Sequence, residues 1–195
     1  MRVLFLFDHP HENSYCRALL DAALAGLQEA GHEYDVIDIY RERFDPVLKT
    51  EDLARYGEGA FSDEKVGEYQ RRVDAADHFV MIFPVWWQVM PALSKGFLDK
   101  VLLPKWSFEE TSGMVPRGLL SRLGVTVVTT MGFPHWYYRL FFGNALAGAL
   151  MRGTFGFVGV PRRRRRWINV GNVARIGDAA RRRRLEEVRR YFAAL

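Results

Sequence analysis

Two adjacent tryptophans, Trp86 and Trp87, lie between Pro84 and Pro91 at the end of an apolar run. Proline fixes the backbone angle φ and stiffens its segment, so the chain presents a large flat aromatic surface on a stiff loop. Such a surface suits a flat aromatic cofactor, although core or subunit-interface packing remains the alternative. In an extended segment the two rings point in roughly opposite directions, so one would pack inward while the other faces a ligand.

A second candidate loop, residues 8–14, opens the first predicted helix and contains His9, Asn13 and Ser14. Unpaired N–H groups and the dipole at a helix N-terminus favour an anion such as phosphate. Asn13 and Ser14 are good capping residues, and an ordinary cap without a ligand is the alternative. The glycine-rich Walker and Rossmann fingerprints are absent, which argues against nucleotide binding by those routes.

A third candidate loop, residues 130–138, follows another apolar strand. Gly132 would let the backbone approach a ligand closely, and His135, Tyr137 and Tyr138 can donate hydrogen bonds to a developing negative charge. The alternative is packing at the start of an amphipathic helix. Taken together, the three loops offer an anion cradle, an aromatic plane and a donor cluster, which favours one ligand over three unrelated explanations.

Metal binding and cysteine chemistry have little support. His9 and His11 have strand-like spacing without further ligands nearby, so we expect no metal site. Cys16 lies on an apolar helix face, where inert packing is the expected role. As the one cysteine in the chain, it rules out an intrachain disulfide and fits a reducing cytosol.

The composition is that of a soluble globular protein, with 49% apolar and 26% charged residues. At 195 residues the chain is expected to form one domain, residues 1–195. No window reaches the run of about 18 apolar residues that a membrane helix needs, and Met1–Asp8 predicts a buried first strand, not a signal peptide. We therefore expect a cytoplasmic protein that is not membrane-embedded. The net charge of +5 favours anionic partners without selecting one.

Short apolar runs alternate with amphipathic stretches, which is typical of an α/β fold with helices on both faces of a parallel sheet. Residues 41–63 are predicted as a surface excursion and residues 103–122 as loop with a short helix. The predicted strands are Arg2–Phe7, Tyr34–Ile39, His78–Phe83, Leu123–Thr130 and Thr154–Val160. The predicted helices are Ser14–Ala30, Asp63–Ala76, Pro91–Val101, Trp136–Met151 and Asp178–Leu195. In such sheets, ligands bind beyond the carboxyl ends of the strands, where the three loops lie.

These motifs resemble one family. The segments His9–Tyr15, Phe83–Val101 and Thr129–Gly132, followed by Gly153–Val160, are similar in order to the NAD(P)H:quinone oxidoreductases. That family includes bacterial quinone reductases and ancillary subunits of potassium-efflux systems. The resemblance implies a flavodoxin-like fold with a five-stranded parallel sheet of order 2-1-3-4-5.

The resemblance also implies roles for individual residues. The flavin phosphate would be held by His9, Asn13, Ser14 and Tyr15. The isoalloxazine would be lined by Pro84, Val85, Trp86 and Trp87, and its pyrimidine edge would be bound by Thr129, Thr130, Met131 and Gly132. Tyr137, with Tyr138 second, matches a catalytic tyrosine of the family. Gly143 stands where better-known members have a histidine, so this chain departs from a tyrosine–histidine pair.

The implied activity is ping-pong transfer of a hydride from NAD(P)H through a flavin, FAD or FMN, to a quinone-like acceptor. A homodimer is also implied. Two alternatives stay open: a flavodoxin-like electron carrier and a regulatory subunit of a membrane transport system. The runs Arg162–Arg166 and Arg181–Arg184 raise nucleic-acid binding as a third. Glu186 and Glu187 can pair with the second run, so solvated surface is the simpler explanation there. Solvated surface is also expected for Arg162–Arg166, with contact to an NADPH phosphate or a partner subunit as the alternative, and no nucleic-acid partner is expected.

Overall fold

The computed structural model describes residues 1–195 and contains one sheet of five parallel strands. Its strands are β1 (Arg2–Phe7), β2 (Glu33–Asp38), β3 (His78–Pro84), β6 (Gly124–Thr130) and β7 (Arg165–Val170). A separate antiparallel hairpin is formed by β4 (Phe108–Glu109) and β5 (Arg117–Gly118). The order in the main sheet is β2-β1-β3-β6-β7. When only the five strands of this sheet are numbered in chain order, their order is 2-1-3-4-5, as predicted. The flavodoxin-like arrangement is therefore confirmed.

Helices cover both faces of the sheet. They are α1 (Tyr15–Glu29), α2 (Thr50–Tyr56), α3 (Glu64–Asp74), α4 (Ala92–Val101), α5 (His135–Phe141), α6 (Phe155–Phe157) and α7 (Asp178–Ala193). A π-helical segment, Ala147–Thr154, runs into α6, and a 3₁₀ turn, Arg162–Arg164, precedes β7. None of these helices combines the length and the apolar character that crossing a bilayer requires.

The core lies in two layers because side chains alternate across each strand. On β1, Val3, Phe5 and Phe7 face α1 and α7, whereas Leu4 and Leu6 face the opposite layer. The central strands β3 and β6 are buried along their whole length. Their near-continuous apolar runs are therefore the expected signature of parallel strands covered on both sides.

Helices α1 and α7 lie side by side and begin at the same end of the sheet. Gly26 makes their close approach possible, since a Cβ atom there would lie 2.1 Å from the Arg189 carbonyl oxygen. At the beginning of the two helices, the Tyr15 hydroxyl donates to the Arg181 carbonyl oxygen (2.9 Å). The packing thus brings the first turn of α7 beside the loop that precedes α1.

The position of the fifth strand was predicted wrongly. Residues Thr154–Val160 lie in the end of the π-helical segment, α6 and the turn after it, where Phe155, Val158 and Val160 are buried in the core. The strand itself is β7, five residues beyond. As an edge strand it pairs only with β6, and so it tolerates the arginines that hid it from an apolar pattern.

Three other expectations need correction. The predicted helix Trp136–Met151 ends at Phe141, because Gly143 and Asn144 adopt positive φ angles of 60° and 52° that break an α-helix. The surface excursion 41–63 contains α2. The segment 103–122 holds the β4–β5 hairpin instead of a short helix.

Candidate functional site

The three candidate loops meet at the carboxyl edge of neighbouring strands. The Asp8 N–H donates to the Ile82 carbonyl oxygen (2.9 Å), which joins the first loop to β3. The Val85 N–H donates to the Thr130 carbonyl oxygen (2.7 Å), which joins the second loop to the third. The loops that the sequence singled out therefore form one continuous surface, called here the rim.

The first loop leaves main-chain donors free at the start of α1. The Ser14 hydroxyl caps the helix by accepting the Arg17 N–H (3.1 Å), whereas the N–H groups of Tyr15 and Cys16 have no acceptor in the protein. These donors and the helix dipole point toward the rim, where an anion would satisfy them.

The histidines of this loop shape its backbone. His9 Nδ1 accepts the His11 N–H (3.0 Å), and His11 Nδ1 accepts the Asn13 N–H (3.1 Å). Burial lowers the pKa of His9, which favours the neutral ring. A neutral His9 with Nδ1 as acceptor carries its proton on Nε2, so it can donate one hydrogen bond outward.

Sequence reasoning missed Arg181, which stands at the start of α7 beside this loop. Its guanidinium carbon lies 6.0 Å from the centre of the Tyr15 ring, and one Nη donates to the Val173 carbonyl oxygen (3.1 Å). Its Nε is buried without an acceptor. The arginine therefore adds a positive charge near the free donors of α1. Nothing in the run Arg181–Arg184 distinguished it from its surface neighbours.

A buried carboxylate, Asp8, ties the first loop to the second. One of its oxygens accepts both the N–H (2.8 Å) and the hydroxyl (2.5 Å) of Ser94, in the first turn of α4. The other oxygen has no partner. Burial raises the pKa of Asp8, and the two Ser94 hydrogen bonds act in the opposite direction. The sequence had not marked this pair, which fixes the helix that follows the tryptophans.

The second loop is a tight two-residue turn. Trp86 and Val89 exchange N–H···O bonds of 3.0 and 3.1 Å, while Trp87 and Gln88 occupy the left-handed region with φ of 48° and 72°. This is a type I′ geometry, in which Asn and Gly are preferred. Holding two larger residues there costs about 1–2 kcal/mol each, which is a common feature of ligand-binding loops.

Neither tryptophan packs inward, contrary to the prediction. Trp87 is 94% exposed and Trp86 is 43% exposed. The Trp86 ring lies 6.3 Å from the His9 ring, so it borders the first loop. Both flat faces are thus available at the rim, which supports ligand contact over core packing.

Tyr138 holds this turn in place. Its ring is almost fully buried, and its hydroxyl donates to the Gln88 carbonyl oxygen (2.6 Å) and accepts the Leu146 N–H (2.8 Å). Burial raises the pKa of this hydroxyl. With both hydrogen-bonding roles filled inside the protein, Tyr138 acts as a clamp on the turn.

Tyr137 differs from its neighbour because its hydroxyl has no hydrogen-bond partner in the protein. Its ring is half-buried and stacks between Phe133 (centroids 5.6 Å apart) and Phe141 (4.5 Å). The stack fixes the ring, while the hydroxyl stays available to a ligand. Tyr137 therefore remains the predicted catalytic residue.

The third loop presents main-chain groups where hydroxyls were expected. Thr129 is fully buried, and its hydroxyl accepts the Trp167 indole N–H (2.9 Å) and donates to Asn169 (2.8 Å). The Thr130 hydroxyl lies 3.4 Å from the Cys16 sulfur. The side chains of these two threonines thus bind within the protein, and their main chain is paired in β6, so neither hydroxyl is free to bind a pyrimidine edge.

Free donors are nevertheless present one residue further along. The N–H groups of Gly132 and Phe133 have no acceptor in the protein, and a Cβ atom at Gly132 would meet nothing within 4 Å. The space in front of Gly132 is therefore open to a ligand edge that carries hydrogen-bond acceptors. Met131, which precedes it, is buried in the core.

The other candidate groups do not form a site. Burial raises the pKa of Cys16 to about 12, which leaves a thiol and no nucleophilic thiolate at neutral pH. No group of three or more His, Cys, Asp or Glu side chains could hold a metal ion. The chemistry that the rim offers is binding of an anion, a flat ring and an acceptor-bearing edge.

Comparison with known proteins identifies a matching family and several relatives. A family model described as flavodoxin-like fold matches residues 1–193. An uncharacterized NAD(P)H oxidoreductase of Haemophilus influenzae is 28% identical over 162 residues, 82% of this chain and 79% of that protein. The NAD(P)H dehydrogenase (quinone) 1 of Cavia porcellus is 26% identical over 153 residues, 70% of this chain and 55% of that protein.

Among solved structures, the NAD(P)H:quinone oxidoreductase from Methanothermobacter marburgensis superposes with a TM-score of 0.86 at 28% identity, covering 99% of this chain and 98% of that one. The chain spans only about half the length of some curated relatives; for example, its match covers 55% of the Cavia porcellus protein. The names of these relatives agree with the resemblance drawn from the sequence. By its family model and its sheet, this chain belongs to the flavodoxin-like fold family, among relatives named NAD(P)H oxidoreductases and quinone reductases.

Proposed function

We propose that this protein is a flavin-dependent NAD(P)H oxidoreductase that reduces quinones or similar acceptors. The observation that carries the proposal is the set of free main-chain donors at the rim. Two stand at the start of α1 and two at Gly132 and Phe133, on either side of an exposed, strained Trp86–Val89 turn. Relatives named as NAD(P)H oxidoreductases and quinone reductases support the same activity.

The residues at the rim fit a flavin. Its phosphate would accept the N–H groups of Tyr15 and Cys16, with Ser14, His9 and Arg181 close by. The ring would lie against the tryptophan turn, and the carbonyl oxygens of its pyrimidine edge would face the free N–H groups after Met131. A flavin supplies two-electron chemistry, accepting hydride from a reduced nicotinamide and passing it to an acceptor.

The protein's own part is to bind, orient and stabilise charge. The Tyr137 hydroxyl, free and fixed by stacking, would donate to negative charge on the pyrimidine side. The Tyr138 clamp would keep the turn against the ring. Because Trp87 is exposed, the nicotinamide and the acceptor would approach the ring from the same side in turn, as ping-pong kinetics requires.

A homodimer belongs to the same proposal. Large apolar side chains are exposed beside the rim, and contiguous exposed patches of this kind mark interaction surfaces. They are Trp87, Phe133, Trp136, Leu140 and Phe141. A second copy seated on them would exclude water from the ring. Light scattering of the purified protein should give twice the chain mass of 22.5 kDa, and a monomer at working concentration would contradict this part.

The test is direct. The purified protein should be yellow or take up FMN or FAD, and chromatography of the extracted flavin would identify which. It should then oxidise NAD(P)H with menadione in steady state. A protein that binds flavin but does not oxidise NAD(P)H would instead be an electron carrier. A protein that binds neither flavin would overturn the proposal.

A further inference from the structure

A cavity of about 660 Å³ lies beside β7, outside the rim. We call it the arginine cavity, since four arginines line it and no acidic residue does. Its lining consists of Arg139, Asn144, Ala147, Met151, Arg152, Arg162, Arg165 and Trp167. These residues come from α5, the π-helical segment, the 3₁₀ turn and β7, so the fold gathers them from separate parts of the chain.

The positive charge of this cavity is not neutralised within the protein. None of its four arginines forms a salt bridge with a carboxylate. On α7, by contrast, Arg184 pairs with Glu187 (2.6 Å) and Arg190 pairs with Glu186 (2.7 Å). Guanidinium groups gathered without a counter-charge repel one another, and a bound anion relieves that repulsion.

Two buried polar atoms at the cavity also lack partners. Arg165 donates through one Nη to the Met151 carbonyl oxygen, but its Nε is buried and unpaired. Asn144 Oδ1 is likewise buried without a donor. Both atoms lie beneath the cavity surface, so the groups that a ligand can reach are the guanidinium N–H groups that line the cavity.

Trp167 gives the cavity a flat aromatic wall. Its indole N–H donates to the Thr129 hydroxyl (2.9 Å), and its ring meets His135 and Tyr138 edge-on at 4.8 and 6.1 Å. The ring is half-buried and held in one orientation. A fixed indole face suits the stacking of a nucleobase, while the arginines suit phosphate.

A second basic cavity, of about 600 Å³, provides a contrast. It is lined by arginines of the same run, but also by Asp77. This acidic side chain supplies negative charge that the arginine cavity lacks. Of the two, the arginine cavity is therefore the better anion site.

We propose that the arginine cavity binds a phosphorylated nucleotide, with a phosphomonoester among the arginines and the base against Trp167. Arg139 lies on α5 with Tyr137, and Thr129, which holds Trp167, immediately precedes the third loop. The cavity is thus next to the rim. The nucleotide has two possible sources: the phosphorylated adenosine end of NADPH, which rests on the proposed function, or a separate nucleotide that regulates the protein.

Calorimetric titration of the full chain with adenosine 2′,5′-bisphosphate tests the site without any turnover. Binding should be detected for this probe and not for adenosine. Arg152→Ala and Arg162→Ala, both at exposed positions, should each weaken it about tenfold, because each removes a charge-assisted contact. Arg182→Ala, an exposed arginine of α7 outside the cavity, is the matched control and should leave the affinity unchanged. No binding, or equal losses in all three variants, would overturn the proposal.

The source of the nucleotide is decided by kinetics. If it is the hydride donor, Arg152→Ala should raise KM for NADPH about tenfold while leaving KM for NADH and kcat unchanged. If it is a separate ligand, adenosine 2′,5′-bisphosphate should bind without competing with NADPH. A 20-base-pair duplex that binds more tightly than the nucleotide, and equally in all variants, would show general nucleic-acid binding instead. Failure of the proposed function would abolish turnover but not the calorimetric signal, so the two failures are distinguishable.

Discussion

The rim and the arginine cavity lie on the same sheet but offer different groups to a ligand. At the rim, the protein groups that face a ligand are main-chain N–H donors and aromatic faces, and the loops after β1, β3 and β6 supply them. At the cavity they are guanidinium groups around the edge strand β7. Main-chain donors recognise shape and acceptor position, whereas unpaired arginines recognise charge. Under the two proposals, the centre of the sheet holds the redox cofactor and its edge distinguishes charged substrates.

The physical reason for this division is burial. Strands β3 and β6 are buried on both faces, so charged side chains have no place on them and the backbone at their ends must provide polarity. Strand β7 pairs on one side only, and its first residues, Arg165 and Arg166, can reach solvent or a cavity. An edge strand is where a parallel sheet can carry charge.

The largest effect is expected at the start of α1, where Ser14→Asp would place a carboxylate in the anion cradle. Aspartate is as good an N-cap as serine, so the fold should survive. Repulsion of the flavin phosphate should weaken flavin binding by about 100-fold or more, equal to roughly 3 kcal/mol. Fluorescence titration of the apoprotein with FMN and FAD measures the change.

Ser14→Thr, which keeps both the cap and the charge, is the control and should bind flavin normally. The same Ser14→Asp protein should still bind adenosine 2′,5′-bisphosphate, since the arginine cavity is a separate site. Undiminished flavin affinity in the aspartate variant would place the phosphate elsewhere and remove the distinction between the two regions.

The second effect is a pH dependence at the arginine-rich side of the sheet. His78 lies among Asp77, Arg122 and Tyr191, and its Nε2 is 2.8 Å from the Thr126 hydroxyl. Burial lowers the pKa of His78 from 6.5 to about 4. Between these values the unfolded chain binds a proton that the native protein does not. The contribution of neutral His78 to the free energy of unfolding is therefore complete above pH 6.5. As the pH drops to 4, the free energy of unfolding falls by up to about 3 kcal/mol.

Urea denaturation of the wild type and of His78→Gln across pH 4–7.5 measures this contribution. The glutamine retains a hydrogen-bonding group but does not titrate, so its stability should fall less steeply with acid. Parallel slopes for the wild type and His78→Gln would mean that burial does not lower the pKa of His78, which would contradict this prediction.

The rim was largely predictable from the sequence, because buried strands produce apolar runs that locate their own carboxyl ends. Loops 8–14, 84–91 and 130–138 were identified in this way, and hydrogen bonds join them at one edge. What the sequence could not give was the direction of each side chain. Thr129 and Tyr138 carry suitable hydroxyls, but contacts with Trp167 and Gln88, distant in sequence, occupy them.

The region around the edge strand β7 was predicted poorly, because its apolar pattern does not match its structure. Thr154–Val160 has the apolar content of a strand yet packs as helix and turn, while β7 begins with two arginines. An edge strand needs little apolar pattern, so sequence periodicity does not reveal it. The run Arg162–Arg166 offered phosphate contact only as an alternative to solvated surface, and Arg181 was missed, because the significance of these arginines depends on which charges remain unpaired in the folded chain.

A third prediction separates the two neighbouring tyrosines. Tyr138→Phe removes a buried hydroxyl and leaves the Gln88 carbonyl and Leu146 N–H unpaired, which should lower stability by about 2 kcal/mol. Tyr137→Phe removes a hydroxyl without a protein partner, so stability should stay within about 0.5 kcal/mol of wild type. Turnover of NAD(P)H with menadione should instead fall in the Tyr137 variant. Equal destabilisation by both changes would contradict the clamp assigned to Tyr138.

The smallest effect, in the opposite direction, is expected from the tryptophan turn. The double variant Trp87→Asn, Gln88→Gly supplies the residues that a type I′ turn prefers. It should stabilise the protein by about 1 kcal/mol, because the relief of strain at two left-handed residues is partly offset by the greater freedom of glycine in the unfolded chain. Trp87 is 94% exposed, so little core packing is lost with it. If the strain is retained for ligand contact, flavin should bind more weakly to this more stable protein, as thermal unfolding and flavin titration would show together. A variant that gains stability and keeps full flavin affinity would make the turn a packing feature and confine the rim to its main-chain donors.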